Sequence, residues 1–240
     1  MPKRLKTQRR GAGSPIYTAT LRAVTPAKYI NYQNMANGTI TGEIVEFIHD
    51  PSKSSVVVKV VYENGNEEYT IAAEGVHSGQ RIQHGSEAAL EVGNVKTLGS
   101  CVEGCPVFNI EKEPGDGGSL VRSSGMYALV MSKDKNYVYV KMPSGKIVGL
   151  IPENRATIGC AGGGGRKDKP FVKAGKRWHA MRAKHKKYPY PRAIAMNALN
   201  HPFGGANHHP GKSKSTSRHA APGRKVGDIA SSRTGRRKKN

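Results

Sequence analysis

From residue 36 to residue 155 the chain runs in short stretches of β-branched and apolar residues, each broken by turn residues before a helical repeat develops. Residues 39–47 (TITGEIVEF) and 55–62 (SVVVKVVY) have the composition of strands, and Asn64-Gly65 behind the second is a hairpin signal. Residues 68–72 return, and Gly75, Gly79 and Gly85 mark a looser connection. A second group follows at 95–98, 106–110, 126–131, 137–142 and 146–151, separated by turns at 114–118, 133–136 and 144–145. Strands this short, at roughly 8–12-residue spacing with such turns, predict small β-barrels. A division near residue 85 yields two of them, in a mainly β chain with no amphipathic helix expected between 36 and 155.

Core-forming residues are confined to that centre. Ile, Leu, Val and Phe number 31 in residues 36–155 but only 8 in the 85 residues from 156 to 240, where twelve glycines and repeated prolines interrupt regular structure. That is below the roughly 20% at which a highly charged segment stops burying a core, so the tail is expected to take its order from a partner. Charge indicates which kind of partner. The chain has 39 Lys and Arg against 17 Asp and Glu, a net +22. Residues 1–35 carry +7, residues 36–155 carry −4 and residues 156–240 carry +19, a folded centre between arms that meet a polyanion. No apolar stretch approaches the roughly 18 residues that span a bilayer. No apolar core follows the basic N-terminus as it would in a secretory signal. The three cysteines, Cys101, Cys105 and Cys160, lack disulfide-scaffold spacing, which points to a reducing, cytoplasmic compartment.

The arms have the chemistry of nucleic-acid contact. Arg4, Lys6, Arg9 and Arg10 lead the first, with Arg22 further in. Arg166, Lys167, Lys173, Lys176, Arg177, Trp178, Arg182, Lys187 and Arg192 open the second, and His208, Lys212, Arg218, Arg224, Lys225, Arg233 and Arg236 continue it. Guanidinium forks bind phosphate bidentately, and interleaved Trp, Tyr and His offer flat faces to unstacked bases. The groove-reading elements of DNA-binding proteins are missing, whereas irregular, glycine-rich arms suit a compact RNA with loops and bulges. A membrane surface would need an amphipathic apolar face, which the arms lack.

Other chemistries are weaker. Residues 159–166 (GCAGGGGR) invite a phosphate-loop reading, but the closing Gly-Lys-Ser/Thr and a following helix are missing. A flexible hinge whose amides are free to touch RNA phosphate is the better reading. Cys101 and Cys105 could be half of a zinc site, yet no second ligand pair follows. No metal or other cofactor is expected, apart from magnesium bridging to RNA phosphate. Six of nine histidines lie beyond residue 155, but no nucleophile, base and orienting partner form a set, so no catalytic residue is assigned.

Residues 195–205 (AMNALNHPFGG) closely resemble a signature of the universal large-subunit ribosomal protein two family, in its archaeal or eukaryotic-type form. Residues 114–125 (PGDGGSLVRSSG) are similar to its glycine-rich segment, 174–178 (AGKRW) to its basic linker and 222–230 (PGRKVGDIA) to its ending. The resemblance covers nearly the whole chain in order. It implies an OB-fold barrel followed by an SH3-like barrel, with long irregular basic extensions: extension 1–35, OB-fold barrel 36–84, SH3-like barrel 85–160 and extension 161–240. It implies a structural, non-enzymatic constituent of the large ribosomal subunit that binds ribosomal RNA beside neighbouring ribosomal proteins. It also implies roles in subunit association, transfer-RNA binding and the peptidyl-transferase region. Transfer RNA and the small subunit would be engaged indirectly, in the cytoplasmic ribosome. Arg122, Asn197 and His201 join the RNA-contact set through these motifs. His201 matches a histidine linked in the family to peptide-bond formation. Asn200 stands where members commonly carry Asp, and a neutral amide can hydrogen-bond an imidazole but not charge-stabilise it. His201 is therefore expected to contact RNA near the peptidyl-transferase region rather than to catalyse. Two rival readings are a histidine-assisted peptidyl-transfer factor and a free nucleic-acid chaperone outside the ribosome.

Overall fold

Val, Ile and Thr at alternating positions fold the centre of the chain into ten strands. They are β1 (Thr39–Ile48), β2 (Val57–Tyr62), β3 (Glu67–Ile71), β4 (Arg81–Gly85), β5 (Val95–Thr97), β6 (Pro106–Phe108), β7 (Ala128–Lys133), β8 (Val138–Lys141), β9 (Ile147–Leu150) and β10 (Arg155–Ile158). The structure, a computed structural model, describes residues 4, 6–18, 26–31, 38–50 and 52–235, with the backbone alone for Lys6 and Thr7. Of the expected contact residues, Arg22 and Arg236 lie outside the described residues.

The strands form one sheet in the order β3-β2-β1-β4-β5-β10-β6-β7-β8-β9. Neighbours are antiparallel except β4 and β5, which meet in parallel at the single pair His84↔Val95. The expected hairpin at Asn64-Gly65 forms, with Tyr62 N–H donating to Asn66 O and Gly65 at φ 77°. Gly42 on β1 admits the β2 side chains: a Cβ there would lie 2.7 Å from the Tyr62 ring and 2.8 Å from Val60 Cγ1.

The expectation of an OB-fold barrel followed by an SH3-like barrel is overturned. The ten strands make a single mostly antiparallel sheet with β3 and β9 at its ends, and no closed barrel forms among the described residues. The reason is long-range pairing. β10, the last of the ten strands, inserts between β5 and β6 and pairs antiparallel with both, while β4 hands the sheet on to β5 across residue 85. Turn residues and alternation report neighbouring hairpins; they do not report which distant strand lies beside which.

Apolar burial follows the sheet. One cluster gathers Ile44, Val58, Val60, Tyr62 and Ile82 from β1, β2 and β4, and another gathers Leu98, Val107, Val130, Val138, Val140 and Ala156. A third, of Ile71, Ala73, Phe108 and Ala161, joins elements from the two groups.

The chain divides into two compact units, Leu21–Pro170, which holds the sheet, and Met1–Thr20 together with Phe171–Asn240. The second unit holds α1 (Lys6–Gly11), α2 (Ala174–Ala183), a 3-10 turn at Ala193–Ala195, and the two-residue parallel pair β11 (Ser215–Thr216) and β12 (Asp228–Ile229). The tail was expected to be irregular, so α2 is a departure. Ala, Arg, Lys and Met dominate it and favour the helix, but it buries no residue, and periodicity could not reveal a helix without an apolar stripe.

Candidate nucleic-acid interface

The two units partition the charge completely. Residues 1–20 and 171–240 hold 23 basic residues and 1 acidic residue, a net +22, whereas residues 21–170 hold 16 of each and are neutral. Arg4, Arg9, Arg10, Lys173, Lys176, Arg177, Arg182, Lys187, Arg192, Lys212, Arg218, Arg224, Lys225 and Arg233 are all exposed, as are Arg166 and Lys167 in the sheet unit. So many cations with one carboxylate repel one another unless an anion runs between them.

Aromatic rings sit among these cations. On α2, Trp178 and Arg182 are one turn apart, with the guanidinium 5.3 Å from the ring centroid. Arg177 lies 5.3 Å from the Tyr188 ring, and His179 meets Trp178 edge-on at 4.9 Å. Trp178 keeps 39% of its surface exposed. These contacts fix the rings while leaving surface on which a base can stack.

The loop at 196–205 is tightly wound. His201 N–H donates to Asn197 O, and Gly205 N–H donates to Met196 O at 3.0 Å. A Cβ at Gly204 would fall 2.3 Å from Asn197 O, so the turn closes only on glycine. Phe203 is the buried apolar anchor of this unit, and Gly227, at φ 86°, would clash with its ring at 2.8 Å if it carried a Cβ. His201 is half-buried. Its Nδ1 accepts the Phe203 N–H at 3.1 Å, which leaves the proton of the neutral ring on Nε2. Asn197 and His208 are exposed.

Other expected residues have different surroundings. Arg122 is half-buried, its Nη2 donates to Ala27 O at 2.5 Å, and burial lowers its pKa from the ordinary guanidinium value. The glycine run is not wholly a hinge: Ala161 and Gly162 are buried and donate their N–H groups to Met126 O and Ala72 O. Those two amides are therefore engaged inside the sheet unit. The thiols of Cys101 and Cys160 are pushed up to about 11, chiefly by burial, with Glu74 adding to the effect at Cys160. Cys160 donates to Glu74 Oε2, Cys101 to Thr97 O and Cys105 to Pro106 O, three separate acceptors. Among the described residues no group of three or more His, Cys, Asp or Glu is placed to hold a metal ion, and no helix is long and apolar enough to cross a membrane.

The sequence reading missed a buried polar knot that holds the segment leading out to the N-terminal arm. Arg155, 1% exposed, donates Nε and Nη2 to Glu111 Oε1 at 3.1 and 2.7 Å, and Nη1 to Ile30 O at 2.7 Å. Glu111 also accepts Gly117 N–H and Arg155 N–H. Glu68 Oε2 accepts Ile30 N–H and the Tyr62 hydroxyl, and Tyr29 donates its hydroxyl to Asn109 O at 2.8 Å. Burial, opposed by the hydrogen bond to Thr157, drives the Tyr29 pKa far above the ordinary phenol value. No local pattern marked it: Glu68 follows Glu67 in the strand EEYTI, and only Arg155, heading the otherwise uncharged strand RATI, stands out. A charge with 1% exposure needs partners.

A neutral sheet unit and a second unit carrying the entire net charge, joined in one chain, define a polyanion-binding protein. Two family models cover most of the chain: Ribosomal Proteins L2, RNA binding N-terminal domain, over residues 5–84, and Ribosomal Proteins L2, C-terminal domain, over residues 91–224. The chain is 50% identical over 242 residues to the large ribosomal subunit protein uL2 of Methanocaldococcus jannaschii, covering 99% of this chain and 100% of that protein. It is 46% identical over 241 residues to uL2 of Methanothermobacter thermautotrophicus and 50% identical over 240 residues to uL2 of Methanococcus maripaludis, again covering 99% of this chain and 100% of each relative. The chain belongs to the ribosomal protein L2 family.

Proposed function

We infer that this chain is a structural, non-catalytic constituent of the large ribosomal subunit that binds ribosomal RNA. The observation that carries the reading is the charge partition: a net +22 on one unit, whose described arginines and lysines are exposed, and none on the other. Lys and Arg neutralise phosphates where RNA segments crowd, and the sheet unit, which buries Ala27, Tyr29, Ile30, Ala161 and Gly162 of the expected extensions 1–35 and 161–240, sets where the basic arms leave the folded centre. Within this reading Trp178 and Tyr188 stack on bases, while His201, through an Nε2 proton, donates to phosphate or a 2′-hydroxyl. An imidazole whose Nδ1 already accepts an amide presents a donor, which favours RNA contact over general-base work in the peptidyl-transferase region. Subunit association and transfer-RNA binding follow indirectly, through the RNA that the protein orders.

Trp178 is the chain's only tryptophan, so its emission reports binding of deproteinised large-subunit RNA directly. Affinity should fall about a thousandfold or more between 50 and 200 mM salt if roughly six to ten phosphates are neutralised. An affinity that stays flat across that titration refutes the phosphate-clamp mechanism.

A further inference from the structure

Among the described residues two valines have a left-handed backbone, Val121 at φ 52° and Val172 at φ 62°. For a β-branched side chain that region is an outlier, and such a residue persists where its surroundings impose it. Val121 has such surroundings: its side chain packs against the core clusters, and its carbonyl accepts the Asn109 N–H at 3.0 Å. Val172 stands in solvent, with 85% of its surface exposed. Its turn is closed by Lys173 N–H donating to Phe171 O at 2.6 Å, a three-residue turn of the rare, strained kind. Phe171, beside it, is 47% exposed.

These two apolar side chains stand among cations. From Arg166 to Arg177 the chain carries six Lys and Arg against one carboxylate, Asp168, and all twelve residues are exposed. A protein pocket that took an aromatic ring and an isopropyl group here would also have to seat those cations. Folded RNA offers both surfaces at once, flat base faces beside phosphates. The strain and the exposure have one cause on this view: a partner packed against the turn supplies the contacts that hold Val172 where it stands.

We propose that Phe171 and Val172 form an apolar wedge that enters ribosomal RNA, the Phe171 ring stacked on an unpaired base with Val172 packed beside it, while Lys173 and Lys176 meet the flanking phosphates. This rests on the RNA-binding reading above and adds to it a contact of a different kind, apolar rather than ionic. Apolar side chains set against bases hold nucleic acid without reading its sequence. The two kinds of contact differ in their response to salt. A lysine that neutralises a phosphate releases a counterion, so its loss makes the salt dependence shallower. Loss of a stacked ring lowers affinity and leaves that dependence unchanged.

The test is titration of the full chain with deproteinised large-subunit RNA, read by Trp178 emission at several salt concentrations. Phe171→Ala should weaken binding about tenfold at every salt concentration, with the slope of log affinity against log salt unchanged. Lys173→Ala should reduce that slope by about one. Val172→Gly, which keeps the turn because glycine takes this φ freely, should weaken binding about threefold. If either Phe171→Ala or Val172→Gly binds as well as the parent chain, the inference is overturned and the RNA-binding reading is spared. A parent chain whose own affinity is flat in salt overturns both. A melting temperature lowered in Phe171→Ala would place the ring inside the protein and overturn the inference. In intact subunits, ultraviolet crosslinking should join the tryptic peptide Asp168–Lys173 to RNA, and a crosslink to another protein instead overturns the inference.

Discussion

Removing the Glu111 carboxylate should be among the most damaging single changes in the sheet unit. Glu111 is fully buried and accepts four hydrogen bonds: Arg155 Nε and Nη2, Arg155 N–H and Gly117 N–H. In Glu111→Ala the guanidinium stays buried without its counter-charge, and two main-chain amides lose their acceptor. Breaking a buried pair from one side costs about 3–5 kcal/mol. A stranded buried donor costs about 1–3 kcal/mol, part of which overlaps with the first figure. A loss of about 5 kcal/mol is a large share of the roughly 5–15 kcal/mol that holds a domain folded. At roughly 2–4 °C per kcal/mol for a chain of this size, the melting temperature should drop by about 10–20 °C. Thermal denaturation followed by circular dichroism measures it, at moderate salt so that repulsion within the basic unit is screened. The decisive comparison is the double variant Glu111→Leu with Arg155→Met, which removes both charges and should recover a large part of the loss. The reasoning fails if Glu111→Ala costs under about 1 kcal/mol, below the penalty for even one stranded group. It fails equally if the double variant loses as much as the two single changes added together.

Acid should erode stability partly through Asp50. Burial would raise its carboxyl pKa, but hydrogen bonds from Lys53 and Ser52 outweigh this and hold it at about 2, against 3.8 unperturbed. The folded pKa is depressed, so this contribution is present above about pH 4 and lost as pH falls toward 2. Asp50→Asn should flatten the melting temperature over that window, and an unchanged acid slope would refute the assignment. Truncation locates the functional boundary of the tail. Ending the chain at Pro170 should leave cooperative unfolding intact, because the sheet unit runs to that residue. Ending it at Cys160 removes buried Ala161 and the bonds its backbone and Gly162 make to Met126, Gly125 and Ala72, and should lower the melting temperature measurably. Equal melting curves for the two truncations would show that those bonds contribute nothing.

Local features of the fold were legible before any coordinates. Val, Ile and Thr marked eight of the ten strands but not Arg81–Gly85, read as a loose connection, or Arg155–Ile158, and Asn64-Gly65 and Ser144-Gly145 marked turns that form, the latter with Met142 N–H donating to Lys146 O. The sheet's assembly was not legible, because Arg155–Ile158 pairs with β5 and β6 from some fifty residues away, and no local pattern encodes that choice. The helix at Ala174–Ala183 stayed hidden for a different reason: it has propensity but no buried face. Charge picked out the arm residues, and most of those described are exposed. Arg122 was drawn in by motif alone, and its guanidinium is partly engaged in holding Ala27. The knot around Glu111 and Arg155 escaped notice because each residue, read singly, looks like an ordinary surface charge.

The place of β10 bears on how the protein is made. A strand that sits in the middle of the sheet is the last of the ten to be synthesised. While translation of this chain is in progress, β5 and β6 expose edges with no neighbour, and Glu111 has no counter-ion, until residues 155–158 emerge. The cationic leader is therefore outside the exit tunnel well before the segment behind it, Ala27 to Ile30, can be clasped by Arg155. For that interval the nascent chain is both sticky at its strand edges and drawn to any nearby RNA. Its sheet can be completed only once the last strand arrives.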